Sequence, residues 1–215
     1  MIKGIIFDVD GTTLSTLCDI QEALNITLEN HKFELQSYED VRLHIGRGSK
    51  NLIKDSLPQN VSKEVIDLIE KEYLNKYREH YNVKTKPYDG IKELLDELQN
   101  KDILLAINSN KPDEFTKNLM KYHFPGINFI AVIGSRIGIP NKPDPFSANE
   151  IVEKMGLDKN KILYVGDSDS DVKTAKNAGL KVVGCLWGFR DYKNLSEAGA
   201  DIIISEPKEL LNYLD

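Results

Sequence analysis

The 215-residue sequence contains few cysteines and no block of basic residues. Its two cysteines, Cys18 and Cys185, are far apart and lack the spacing of metal ligands, which suits two free thiols in a reducing compartment. The net charge of -6, without a basic block, argues against broad attraction to nucleic acid or to an anionic membrane. An anionic substrate would therefore need a local positive site.

Long hydrophobic runs, internal repeats and low-complexity segments are also missing. The apolar run after Lys3 is too short for the core of a signal peptide, and no later run approaches the length needed to cross a membrane. Hydrophobic residues make up 40% and charged residues 29% of the chain, as in an ordinary folded protein. We expect a cytoplasmic protein with one domain, or one domain and a smaller companion.

Six short apolar segments predict β-strands. They read KGIIFDV, DILLAIN, FIAVIG, KILYVGD, LKVVGCLW and ADIIIS, and segments with helical periodicity lie between most of them. Strands that are apolar at nearly every residue suit a sheet buried on both faces, and alternation with helices indicates parallel pairing. The predicted fold class is α/β, with a doubly wound, Rossmann-like parallel sheet.

Residues 15–86 break this alternation, because they contain several helical stretches and no clear strand. We interpret them as a helical domain inserted after the first strand, with residues 1–14 and 87–215 forming the α/β core. The stretch SKEVIDLIEKEYLNKYREHY is predicted to form a helix whose apolar face carries Val65, Leu68, Ile69 and Tyr73.

Polar side chains occur in four loops next to predicted strands, where the ligand crevice of an open parallel sheet lies. Taken singly, each loop has an ordinary explanation: a turn, a helix cap, a solvated lysine or an acidic helix N-terminus. Those explanations do not account for four such loops at one edge of one sheet. The loops contain Asp8, Asp10, Gly11 and Thr12; Ser109, Asn110 and Lys111; Lys142; and Asp167, Asp169 and Asp171.

Two segments imitate other binding motifs, but each lacks a required part. DSDSD begins like a calcium-binding loop, yet Val172 and Ala178 stand where that loop needs glycine and glutamate. GRGSKN, from Gly46, begins like a dinucleotide-binding loop, but it lacks the third glycine and lies within the helical insertion. We reject both motifs and retain the second segment only as a turn.

In chain order, DVDGT, SNK, KP and GDSDSD resemble the four motifs of the haloacid dehalogenase superfamily, in the phosphatase branch with a helical cap after the first strand. The similarity covers essentially the whole chain. Within that branch, YVGDSDSDVKTAKNAGLKVVGCLWGF looks most like the phosphoglycolate phosphatase subgroup. One departure is Ser15, which stands where the subgroup often has an aspartate outside the catalytic set. The resemblance implies a phosphatase for a small phosphorylated metabolite.

The resemblance also implies roles for the motif residues. Asp8 would be the nucleophile that forms an aspartyl-phosphate, and Asp10 would serve as acid and base. The crowded carboxylates would bind Mg²⁺, a hard cation that prefers oxygen ligands. The implied metal ligands are Asp8, the Asp10 backbone carbonyl and Asp167, with Asp171 binding through water or anchoring the others, and Asp169 without a role. Ser109, Lys142 and backbone amides near Asn110 would hold the phosphate.

Arg47 and Lys50, within HIGRGSK, are candidate substrate-binding residues on the cap. An arginine there could hold a second anionic group of the substrate when the cap closes. The alternative is that both side chains are exposed on a solvated turn. We expect a small phosphorylated substrate, no nucleic acid or membrane partner, and a monomer or homodimer.

Several other functions fit the same motifs: a pyrophosphatase, a sugar phosphomutase similar to β-phosphoglucomutase, a dehalogenase, or a binding protein on an inactive core. An acid/base at Asp10, together with Lys142 and Asp167, suits phosphoryl chemistry better than dehalogenation. Release of inorganic phosphate without a sugar-phosphate product separates the phosphatase from the mutase. Magnesium-dependent turnover of p-nitrophenyl phosphate separates an enzyme from a binding protein.

Overall fold

The computed structural model describes residues 1–215, and its central feature is a parallel sheet of six strands. The strands are β1 (Gly4–Phe7), β2 (Leu14–Ser15), β3 (Lys86–Pro87), β4 (Leu104–Pro112), β5 (Phe129–Ser135), β6 (Ile162–Gly166), β7 (Lys181–Cys185) and β8 (Ile202–Ile204). The large sheet has the order β5-β4-β1-β6-β7-β8, and each neighbouring pair is parallel. The predicted α/β fold class is confirmed.

Nine α-helices surround this sheet or extend beyond it. They are α1 (Leu17–Asn30), α2 (Tyr38–His44), α3 (Ser49–Asp55), α4 (Lys63–His80), α5 (Ile91–Asn100), α6 (Asp113–His123), α7 (Phe146–Met155), α8 (Asp169–Asn177) and α9 (Tyr192–Ala198). Short 3-10 helices occupy Lys159–Lys161 and Pro207–Tyr213. None of the helices combines the length and the apolar character needed to span a bilayer.

The sheet separates two apolar layers, because successive side chains of a strand point to opposite faces. In β1, Ile5 and Phe7 pack into a cluster with α5 and the C-terminal segment, whereas Ile6 packs on the opposite side with α7 and α8. All three side chains are fully buried. Burial on both faces therefore explains why the strand sequence is apolar at every residue.

The helices α1 to α4 lie between β2 and β3 and form the cap, which we define as residues 15–86. The two chain crossings between cap and core lie side by side, because Leu14 pairs with Pro87 and Ser15 with Lys86 in a short antiparallel ribbon. The cap has its own apolar cluster, to which the core contributes Phe115 and Phe189. The division into two domains at these crossings stays an interpretation.

The apolar face of α4 differs from the one that periodicity predicts. Ile69 and Tyr73 are buried as expected, but Leu68 is 48% exposed. Tyr77 is buried instead, and its ring meets Phe115 of the core edge-on with centroids 5.1 Å apart. The prediction for Leu68 was wrong because the buried face of α4 is formed by residues spaced four apart, Ile69, Tyr73 and Tyr77. Two of these three side chains are large aromatic rings, which cover the contact with the core.

Candidate active site

The candidate site lies at the carboxyl edge of the sheet, where the loops after neighbouring strands converge. Asp8 follows β1 directly, Asp167 follows β6 directly, and these two strands pair in register along their length. The backbone N–H of Asp8 continues that ladder by donating to the carbonyl of Val165 at 3.0 Å. Parallel pairing therefore brings together two carboxylates that are 159 positions apart in the chain.

A buried lysine lies between the carboxylates. Lys142 Nζ is 2.9 Å from Asp8 Oδ1 and 2.6 Å from Asp171 Oδ1. The other oxygen of Asp171 accepts hydrogen bonds from the backbone N–H and the hydroxyl of Ser168, at 3.1 and 2.6 Å. Both oxygens of Asp171 thus have protein partners, and the residue holds Lys142 against Asp8.

The charge balance of this cluster fits a bound cation. Oxygens of Asp8, Asp167 and Asp171 lie within 4.8 Å of one another, and all three residues are buried. Burial and the charge of Asp171 raise the pKa of Asp8 to about 7, although Lys142 opposes this shift. Burial, Asp171 and Asp8 likewise raise the pKa of Asp167 well above its usual range. A divalent cation with oxygen ligands would relieve this repulsion.

The lysine is charged despite its burial. Desolvation by itself lowers the pKa of Lys142, but the carboxylates of Asp171 and Asp8 outweigh it, so that the pKa lies well above the ordinary value. The protein therefore holds one fixed positive charge beside Asp8. The acidic chain thus contains a buried positive charge at the carboxyl edge of its sheet.

Asp167 is oriented by two hydrogen bonds, one to each carboxylate oxygen. The hydroxyl of Thr12 donates to Oδ1 at 2.9 Å, and the backbone N–H of Phe189 donates to Oδ2 at 2.8 Å. Gly11 lies against the same carboxylate with φ +86°, and a side chain there would overlap it. The glycine of DVDG is therefore required by close approach as well as by backbone conformation.

Asp10 has a partner that the sequence did not assign. Lys111 Nζ lies 2.8 Å from Asp10 Oδ1, the lysine side chain is almost completely buried, and its ammonium sits 4.8 Å from the Tyr77 ring centroid. The sequence signal was available, because Lys111 belongs to the SNK motif. Its direction could not be inferred, since a lysine that precedes proline in a loop is usually solvated.

Asn110 connects three parts of the site through its side-chain amide. Nδ2 donates to the carbonyls of Gly46 and Lys142, at 2.9 and 3.1 Å, and Oδ1 accepts from the Lys142 backbone N–H at 2.8 Å. The side chain thus joins the cap turn to the lysine loop. Ser109 is buried beside it, and its hydroxyl accepts from the Lys111 backbone N–H at 3.3 Å.

A small cavity of about 40 Å³ lies between the core and the cap. Asp8, Asp10, Ser109, Asn110 and Lys111 line it from the core side. The cap side is mainly aliphatic and aromatic, with Ile20, Ile45, Leu52, Tyr73, Leu74 and Tyr77, and its polar lining consists of Gly46, Gly48 and Ser49.

Arg47 and Lys50 do not line this cavity. Arg47 pairs with Asp55 at 2.6 Å and Lys50 pairs with Asp67 at 2.5 Å, and both basic side chains are more than half exposed. Their turn does reach the site, but through the backbone of Gly46 and Gly48 and through Ser49. The substrate-binding role of the two basic side chains stays a prediction that this arrangement does not support. Asp169, which was given no role, pairs with Lys173 at the surface.

Comparison with known proteins agrees with this geometry. The sequence profile of the haloacid dehalogenase-like hydrolases matches residues 5–185. A phosphoglycolate phosphatase of Aquifex aeolicus is 32% identical over 214 residues, covering 100% of this chain and 97% of that protein. An N-acetylmuramic acid 6-phosphate phosphatase of Pseudomonas aeruginosa is 26% identical over 216 residues, covering 100% and 95%.

The solved structures show the same architecture. One from Lactobacillus delbrueckii subsp. bulgaricus, provisionally described as a phosphoglycolate phosphatase, superposes with a TM-score of 0.91 at 31% identity, covering 99% of this chain and 98% of that one. The chain therefore belongs to the haloacid dehalogenase-like hydrolase family. Its predicted family, its similarity to the phosphoglycolate phosphatase subgroup and its enzyme class, a hydrolase, are confirmed.

Proposed function

We propose that this chain is a magnesium-dependent phosphatase that hydrolyses a small phosphomonoester through an aspartyl-phosphate on Asp8. The observation that carries the proposal is the buried arrangement of Asp8, Lys142, Asp167 and Asp171 at the carboxyl edge of the sheet, with Asp10 beside it at the cavity. Each of these groups has a use in phosphoryl transfer.

Asp8 is the proposed nucleophile. Its carboxylate lines the cavity, and its Oδ1 is ion-paired with Lys142 Nζ at 2.9 Å. The ammonium of Lys142 lowers the repulsion between this carboxylate and a phosphate dianion.

The metal would be held by Asp8, Asp167 and the backbone carbonyl of Asp10, and bound Mg²⁺ would supply positive charge to the phosphate oxygens. Asp171 would bind the metal through water or hold the other groups in place, because its own oxygens already contact Lys142 and Ser168. Ser109 and nearby backbone amides would contact the non-bridging oxygens, where charge increases during transfer.

Asp10 is the proposed acid and base. It protonates the leaving oxygen when Asp8 attacks, and it then takes a proton from the water that hydrolyses the aspartyl-phosphate. Lys111 holds the Asp10 carboxylate through the 2.8 Å ion pair and thereby fixes its direction at the cavity. The proton returned by water restores Asp10 for the next cycle.

The substrate is proposed to be a compact phosphomonoester of the phosphoglycolate type. Support comes from the relatives named phosphoglycolate phosphatase, one of them 32% identical, whereas the 26% identical relative is named for a larger sugar phosphate. Substrate choice would then depend on the cap, because the cap supplies the wall that faces the leaving group.

A panel of phosphorylated metabolites, assayed for released inorganic phosphate with and without Mg²⁺, tests this function. We expect turnover that requires Mg²⁺, with a compact phosphomonoester giving the highest kcat/KM. Rapid quenching with ³²P-labelled substrate should trap a base-labile phosphate on the wild-type protein and none on an Asp8→Asn variant. An isomeric sugar phosphate formed without net phosphate release would instead show a mutase.

A further inference from the structure

The loop after β7 contacts both the candidate metal site and the cap. It contains Trp187, Gly188, Phe189 and Arg190. Through Phe189 it joins Asp167, a candidate metal ligand, to the apolar interior of the cap. The loop therefore lies where cap position could affect the metal site.

The first half of the loop is fixed to the core. Trp187 Nε1 donates to the backbone carbonyl of Thr12 at 2.9 Å. Gly188 follows, packed so closely that a side chain there would overlap Asp167 and the carbonyl of Gly11. The next N–H, that of Phe189, is the donor to Asp167 Oδ2 at 2.8 Å.

The second half of the loop is fixed to the cap. The Phe189 ring is 4% exposed and packs within the apolar cluster formed by α1 to α4. Its carbonyl accepts a close hydrogen bond from the Arg42 guanidinium of α2. Arg190 reaches back to the C-terminus of α2 and donates to the carbonyls of Arg42, Leu43 and Ile45 at 2.6, 3.1 and 3.1 Å.

The contact at α2 has a clear physical basis. The last carbonyls of a helix have no partner within the helix, and a cation is favourable near that end. Arg190 donates to three carbonyls at this end of the cap helix from a core loop, so the loop is bonded to the cap as well as to the core. One residue, Phe189, carries the cap contact in its side chain and the Asp167 contact in its N–H.

We propose that Phe189 is a positioning residue through which seating of the cap orients Asp167 for the metal. This inference rests on the proposed function, because it assigns Asp167 to a metal site. When the ring is seated in the cap, the N–H holds the carboxylate in place; when the cap lifts, the ring leaves and the hydrogen bond loosens. Metal binding and cap closure then stabilise each other, since a coupling between two events is reciprocal.

Calorimetric titration with Mg²⁺ of wild type and Phe189→Ala tests the coupling directly, without turnover. The N–H remains in the variant, but its anchor in the cap is removed. We expect Mg²⁺ affinity to fall about 10-fold, the lower end of the ~10–100-fold range typical for partners of metal ligands. The Mg²⁺ concentration for half-maximal activity should rise in parallel, while kcat at saturating Mg²⁺ changes much less.

Phe115→Ala is the matched control. Phe115 is also a core residue, is equally buried, and packs into the same cap cluster, but it has no contact with Asp167. Its loss should lower stability to a similar extent but reduce Mg²⁺ affinity clearly less than Phe189→Ala does, because the Phe189 ring stays in the cap cluster and its N–H still holds Asp167. If Phe189→Ala does not fold, Phe189→Leu and Arg190→Ala provide milder forms of the same test, each with a smaller loss of Mg²⁺ affinity.

Hydrogen exchange supplies the reciprocal measurement. Saturating Mg²⁺ should slow amide exchange across α2 in the wild type and should do so much less in Phe189→Ala. Equal Mg²⁺ affinity in wild type and Phe189→Ala, or an equal loss in Phe115→Ala, would overturn the inference and leave the proposed function standing. A wild-type protein that binds no Mg²⁺ would overturn both.

Discussion

The core loops and the cap turn use charged residues in opposite ways. At the core edge, Lys142 and Lys111 are buried, and each neutralises a carboxylate at the site within 3 Å. On the cap, Arg47 and Lys50 are more than half exposed and are paired with Asp55 and Asp67 outside the cavity. The cap turn contributes backbone and a hydroxyl to the cavity, whereas the core contributes its charge.

The difference follows from the cost of burial. A buried lysine requires carboxylates and hydrogen bonds at fixed distances, and the paired strands of the core hold such partners firmly. Arg47, in the turn between α2 and α3, and Lys50, in the first turn of α3, have only partly exposed carboxylates as partners, and their side chains remain in water. This contrast supports the proposal that the core performs the phosphoryl chemistry and that the shape and apolar surface of the cap select among leaving groups.

Asp8→Asn is expected to have the largest effect on activity. The amide keeps the shape of the side chain but cannot attack phosphorus, so kcat should fall at least about 10³-fold. Circular dichroism should show an unchanged fold. A folded variant that keeps more than a tenth of wild-type kcat would place the nucleophile elsewhere and remove the basis for assigning the chemistry to the core.

Lys142→Met and Lys50→Met compare a core lysine with a cap lysine directly. Removing Lys142 leaves two buried carboxylates without their counter-ion, which should cost about 3–5 kcal/mol of stability and about 10²–10³-fold in kcat. Removing Lys50 breaks an exposed pair worth about 0–1 kcal/mol. Denaturant unfolding measures the loss of stability in both variants, and steady-state kinetics measures the loss of kcat. Similar losses in Lys142→Met and Lys50→Met would contradict the proposed difference between core and cap lysines.

Lys111→Met should reduce kcat by about 10-fold, a part of the ~10²–10⁴-fold that a general acid and base contributes. Asp10 stays in place but loses the ion pair that fixes it. The loss should be larger for an alkyl phosphate than for p-nitrophenyl phosphate, whose leaving group needs little protonation. A rise in KM with kcat unchanged would show instead that Lys111 binds the substrate.

Metal-free stability should depend on pH through Asp8. Its carboxyl has a pKa of about 7 in the folded protein against 3.8 when unperturbed, so folding becomes less favourable as pH rises across that interval. Without metal, Asp8→Asn should therefore melt above wild type at pH 8 by more than at pH 5. Added Mg²⁺ should reduce the Tm difference between Asp8→Asn and wild type at pH 8. A Tm difference that is the same at both pH values would contradict this account.

Arg47→Ala is expected to have the smallest effect. The residue loses an exposed ion pair with Asp55, and kcat/KM should stay near wild type for p-nitrophenyl phosphate and for a substrate with a second anionic group. The two substrates together form the test. A loss confined to the doubly anionic substrate would return Arg47 to the substrate site and would place charge on the cap side of the cavity as well.

The sequence alone was sufficient to predict the strands of the sheet and the carboxylates at its carboxyl edge. All six apolar segments form strands of the large sheet, because a strand buried on both faces must be apolar throughout. Parallel strands end at one edge, so polar residues directly after β1 and β6 had to meet there. Local pattern and a general rule of topology determined the position of Asp8 and Asp167.

Only the tertiary structure decided which way individual side chains point, because a sequence pattern does not specify the partners of a side chain in distant segments. SNK and GRGSK each contain one lysine, yet Lys111, near the end of β4, is buried against Asp10, while Lys50, in the first turn of α3, pairs with Asp67 at the surface. In the same way, periodicity placed Leu68 inside and could not foresee that the core would meet Tyr77 with Phe115. Nor could it show that Phe189 joins Asp167 to the cap. Contacts between distant segments depend on how two folded units pack, and a local sequence pattern carries no information about that packing.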